Sequence, residues 1–95
     1  MRSKAITDII ETWEGLSRTG LLPSGDLKPG DLPKAAATFA LAGVRGYAKA
    51  GWPEVFWPWR RPRFRAGERR ENLVRAGAFI LAEIERLDRL STEAE

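Results

Sequence analysis

Between Lys4 and Ser17 the apolar residues Ile6, Ile9, Ile10, Trp13 and Leu16 recur in steps of three and four, with Asp8, Glu11 and Glu14 set between them. That period gathers the apolar side chains on one face, so a short amphipathic helix is expected over residues 4–17. The next stretch, SRTGLLPSGDLKPG, breaks the pattern with three glycines and two prolines. It predicts an ordered loop that folds Leu21, Leu22 and Leu27 onto the core. Asp31, Leu32 and Pro33 then carry the signals of a helix start: a carboxylate to cap free backbone N–H groups, and a proline in the first turn, where its missing donor costs nothing. A second helix is expected from Asp31 to about Lys49. Its alanines and glycines (Ala35, Ala36, Ala37, Ala40, Ala42, Gly43, Gly46) let a neighbour come close, and Phe39, Leu41, Val44 and Tyr47 supply bulk.

Gly51 closes that helix, and the prolines of WPEVFWPWRRPRFR keep residues 52–67 out of regular structure. A long irregular connection inside a small domain is more often functional or well packed than idle. A third helix is predicted from near Glu68 to about Leu90, with Leu73, Gly77, Ile80, Ile84 and Leu87 in one stripe and a fraying tail beyond. Within it AGAFILA, residues 76–82, has no polar residue on any side. A helix apolar all round is covered all round, which makes it the central helix or places one of its faces at a subunit interface. The fold expected is all-α: one domain, residues 1–95, of three helices with a long Pro/Trp/Arg-rich ordered loop between helices two and three.

The 95 residues include neither cysteine nor histidine. Disulfides, thiolate or imidazole metal sites, and Cys/His or Ser/His catalysis are thereby excluded. Any metal would need oxygen ligands, and neither metal nor cofactor is expected. The opening MRSKAITDII is too charged for a signal peptide and no apolar run reaches membrane-spanning length, so a cytoplasmic protein without a membrane partner is expected. The formal charge is +3, but it is unevenly spread: seven arginines face two glutamates between residues 60 and 75. This local excess is the main electrostatic signal.

Two roles stay open for that segment. Arg60, Arg61, Arg63, Arg65, Arg69 and Arg70 could neutralise phosphates through planar guanidinium forks, while Trp52, Trp57, Trp59 and Tyr47 stack on bases. Alternatively the indoles form a strap that buries its rings over the helices, since each tryptophan presents on the order of 150–250 Å². In RRENLVR, residues 69–75, several cations crowd a helix start that would prefer an anion, a local conflict of the kind that marks sites; the structural counterpart is a solvated surface with Glu71 paired to Arg75. Glu83 lies in line with Ala76, Ile80 and Leu87 and needs a cation from the strap or a second subunit, most simply as an ion pair at the rim. Glu11 with Glu14, and Glu85 with Asp88, have the spacing of Mg²⁺-holding carboxylate pairs in all-helical nucleotide pyrophosphatases. Such spacing is common on solvated helices, and Arg86 and Arg89 are interleaved with the second pair, which argues for surface pairing.

WPW at 57–59 and RRENLVRAGAFILAEIERLDR at 69–89 resemble a family of small proteins of tailed phages and prophages, in which WPW precedes an arginine-rich segment and a closing helix of this pattern. DLPKAAATFALAG at 31–43 is similar to the helix before WPW there. The chain departs from the family in lacking its histidine- and aspartate-rich segment and in placing Arg60, Arg61, Pro62, Arg63 and Phe64 after WPW. The resemblance implies a phage accessory protein and no reaction. With the arginines, it leads to the expectation of a non-catalytic, anti-defence binder of a nucleotide or cyclic nucleotide. The alternatives are an inhibitor that docks on an acidic host protein with the same surface, and a single-strand nucleic-acid binder. Self-association into a homo-oligomer is expected from the small size of the core.

Overall fold

Ser3 opens the first helix, α1 (Lys4–Gly15): its Oγ accepts the Ile6 N–H at 3.2 Å, satisfying one of the amides that every helix start leaves unpaired. The computed structural model describes residues 2–16, 18, 27–44, 56–60 and 64–94, and two more helices follow, α2 (Asp31–Leu41) and α3 (Arg69–Ala94). No strand occurs among the described residues. The all-α, three-helix architecture expected from the pattern is therefore the one observed. α1 and α2 both pack along α3, which is the central element.

Several boundaries differ from expectation, each for a local reason. Gly30 precedes α2 at φ 89, a left-handed conformation that glycine adopts without steric cost. Asp31 does not cap the amides of α2. Its Oδ2 accepts the Lys28 N–H at 2.8 Å while its own N–H donates to the Lys28 carbonyl at 3.0 Å, so the side chain locks the turn before the helix. α2 stops at Leu41, well short of Lys49, because Gly43 turns the chain at φ 82 and groups from α3 take the carbonyls at this end. Residues 45–50 of the expected extension lie outside the described residues. The tail expected to fray from Ser91 is helical through Ala94.

The core lies between α2, α3 and the connection that joins them, here called the strap and described at residues 56–60 and 64–68. Phe39 and Phe79 are fully buried and stack with centroids 5.8 Å apart at 13°. Burial of such a ring contributes roughly 1.5–3 kcal/mol. Ala35, Ala36, Ala76 and Ala78 are buried beside them, which is how the small residues let α2 approach α3. Leu16 and Leu32 complete the cluster, with Trp13 and Leu27 packed at its margin; Leu21 and Leu22 are outside the described residues. On the α1 side, a Cβ added at Gly77 would stand 3.0 Å from Ile9 Cδ1, so the glycine is where α1 comes closest. Among the described residues, AGAFILA is covered on these two flanks. Its third flank is open, with Ile80 half exposed.

Candidate functional site

The strap is built from the inside out. Trp57 meets Phe39 edge-on at 5.6 Å, Trp59 edge-on at 5.1 Å, and Phe64 in a tilted contact at 5.1 Å. Only 8% of it is exposed, and its indole N–H donates to the Arg60 carbonyl at 3.1 Å. Trp59 is half-buried and leans on Phe79 at 5.9 Å. Of the two roles open to the indoles, this geometry gives Trp57 the structural one, because the core already occupies the faces on which a base would stack. Tyr47 and Trp52 lie outside the described residues, as do Arg61 and Arg63.

The remaining arginines separate into two groups. Arg69 reaches back 29 residues, donating from Nη1 to the Ala40 carbonyl at 2.7 Å. It thus places a cation at the negative end of α2, where the helix dipole favours one. Arg70 pairs with Asp8 of α1 at 2.8 Å. Together with Lys4, also at 2.8 Å, it holds the Asp8 carboxyl below the usual carboxylate range, the Lys4 hydrogen bond being the larger cause. Arg75 donates to the Arg65 carbonyl at 3.2 Å and lies over the Phe39 ring at 5.7 Å; its ion pair with Glu71 is a loose 3.8 Å. The crowding of cations at the start of α3 therefore has structural partners.

Arg60 and Arg65 are arranged differently. The main chain of each is tied down, since the Arg60 carbonyl receives the Trp57 indole and the Arg65 carbonyl receives Arg75. Both residues are exposed, and neither guanidinium makes a hydrogen bond or ion pair among the described residues. A fixed backbone that displays an uncommitted cation is a preorganised contact.

Asn72 went unnoticed in the sequence, yet it is the buried polar centre of this region. It is 2% exposed, accepts the Gly67 N–H at 2.8 Å, and donates to the carbonyls of Gly67 at 3.1 Å and Ala42 at 3.4 Å. One side chain thereby joins the end of α2, the end of the strap and the start of α3. Glu71 adds the return half of a capping box, its Oε1 accepting the Glu68 N–H at 3.1 Å.

The other candidates are simpler. Glu83 forms the expected rim ion pair, but with Arg86 of its own helix, in a two-pronged contact at 2.8 and 3.0 Å. Those bonds hold Glu83 below the usual carboxylate range. Glu11 lines a cleft of about 250 Å³ between α1 and α3 with Asp8, Thr12, Arg70, Glu71 and Arg75. Glu14 and Glu85 border a different hollow beside Arg18 and Arg89. One member of each carboxylate pair thus reaches this hollow, and no group of three or more ligands that could hold a metal ion occurs among the described residues. In the first cleft carboxylates outnumber guanidiniums, which does not suit a phosphate. No described helix is long and apolar enough to cross a membrane. Compared with protein-family models, curated proteins and solved structures, the chain matches none.

Proposed function

We propose that this protein is a non-catalytic binding module whose strap presents Arg60 and Arg65 to an acidic surface of a partner protein. The observation that carries this reading is the division within the strap: the rings of Trp57 and Phe64 face inward, whereas two backbone-anchored arginines are exposed without partners among the described residues. Arginine held rigidly at a surface is a characteristic interface hot spot. Recognition of a nucleotide asks for an open aromatic face beside the cations; Trp57 has none to offer, and Trp59 is half-buried against Trp57 and Phe79. The choice of a host protein as the acidic partner comes from the resemblance to phage accessory proteins alone.

Calorimetric titration with a glutamate-rich peptide, ATP, inorganic triphosphate and a cyclic dinucleotide tests the proposal. Saturable binding of the peptide is expected, with ATP no tighter than triphosphate because the base adds nothing. If ATP or the cyclic dinucleotide binds well above triphosphate, a stacking site exists and the nucleotide reading replaces this one. A peptide that does not bind removes the acidic-partner reading.

A further inference from the structure

α3 carries more apolar surface than the described residues cover. Leu73, Ile80, Ile84 and Leu87 are 45–50% exposed and share one stripe of α3, whose Gly77 edge is the one that α1 approaches. Along the helix these positions advance by seven, four and three residues. That is the spacing of a seam that keeps facing a second helix in a left-handed pair. Leu90, 48% exposed, extends the apolar surface toward the C-terminal end. We infer that this stripe of α3 binds a second copy of the chain, with the two α3 helices antiparallel about a two-fold axis near Ile80.

Charge selects a second copy over a charged partner. Of the charged residues between Leu73 and Leu87, Glu83 and Arg86 neutralise each other, Arg75 is turned toward Arg65, Glu71 and Phe39, and Glu85 borders the hollow beside Trp13, Arg18 and Arg89. The seam therefore offers an acidic or basic partner little to recognise and gives a second copy no repulsion. Antiparallel pairing also brings the arginines at the start of one α3 toward the half of the other in which Glu83, Glu85 and Asp88 outnumber Arg86 and Arg89, and it opposes the two helix dipoles. Parallel pairing would set like ends together. The axis near Ile80 brings Leu73 of one copy opposite Leu87 of the other.

Size is consistent as well. A standard interface takes about 800 Å² from each partner, roughly an eighth of the 6766 Å² that this chain exposes. A flank of a 26-residue helix, about 39 Å long, is of that order. The strap packs on Phe79, on a different side of α3. A dimer would therefore carry two separate Arg60 and Arg65 edges and raise its avidity for a repeated acidic surface.

The test is sedimentation velocity of the full chain across a wide concentration range, with Ile80→Lys plus Leu87→Lys as the disrupting variant and Ile84→Ser as a milder one. The parent is expected at twice 10.6 kDa and the double variant at 10.6 kDa with an unchanged helical circular dichroism spectrum. Should the double variant unfold, a partial shift toward monomer by Ile84→Ser carries the same conclusion. A parent that stays monomeric at every concentration overturns the proposal, as does a dimer that survives both variants. If the monomer instead floats with phosphatidylcholine vesicles and the double variant does not, the face belongs to a lipid surface. Because the chain has no cysteine, orientation can be read by oxidation. Ile80→Cys should cross-link and Arg69→Cys should not, whereas cross-linking of both, or of Arg69→Cys alone, contradicts the antiparallel arrangement.

Discussion

Arg65 and Arg75 are ten residues apart and joined by a hydrogen bond, yet they do opposite things. Arg75 spends its guanidinium on the Arg65 carbonyl and the Phe39 ring, whereas Arg65 leaves its own in solvent. The same division separates Arg69 and Arg70, which hold α2 and α1, from Arg60, which among the described residues is anchored through its carbonyl alone. Local charge density cannot distinguish a fold-holding arginine from a displayed one. What decides is whether a helix end, a carboxylate or a ring lies within reach once the helices have docked.

Substitutions can test how sharp that division is. The largest effect is expected from Trp57→Ala, which opens the aromatic cluster on which both groups are mounted and should cost about 3–5 kcal/mol in urea denaturation. A loss under about 1 kcal/mol, well below that range, would mean that the indole is not a core residue. Next comes Asn72→Ala. It leaves the Gly67 N–H and carbonyl without their partner and should cost about 1–3 kcal/mol, with faster amide exchange at Gly67 as the local readout. Arg69→Met keeps the aliphatic stem but removes the cation from the end of α2, and about 1 kcal/mol is expected from the lost hydrogen bond. If Arg69→Met leaves stability unchanged, Arg69 belongs with the displayed group.

A smaller effect should appear in acid. Asp8 is held below its ordinary value by Lys4 and then Arg70. Its folded pKa is thus lower than its unfolded one, so this contribution is present above the usual carboxylate value near 4 and is lost as pH falls through the depressed value. Asp8→Asn should flatten the acid side of a melting-temperature profile relative to the parent. An unchanged acid limb would show that the Arg70 ion pair does not help to dock α1. The smallest effect on stability belongs to Arg60→Glu with Arg65→Glu, expected within about 0.5 kcal/mol of the parent, as for other surface changes.

Much of the fold was legible because periodicity reports which face of a helix is buried. The starts of α1 and α3, the close approach of α2 through its alanines, and the central place of α3 all follow from it. The end of α2 was not legible: Gly43 sits inside a helical pattern, and the groups that take its last carbonyls, Arg69 and Asn72, come from about thirty residues further on. Asp31 has the chemistry of a helix cap but meets the Lys28 N–H first. Asn72 is a lone polar residue among arginines and carries no signal until the strap closes over it. For the candidate site, sequence supplied the residue types but not their directions. Whether Trp57 faces a base or Phe39 depends on the path of the strap, which proline restricts without specifying.

The most direct measurement of the division is the affinity and melting temperature of one variant, Arg60→Glu with Arg65→Glu, titrated with a glutamate-rich peptide beside Arg69→Met. Displayed arginines predict that the double variant melts with the parent and loses the peptide, while Arg69→Met melts earlier and keeps it. A double variant that melts early, or that binds the peptide as tightly as the parent, would contradict the account.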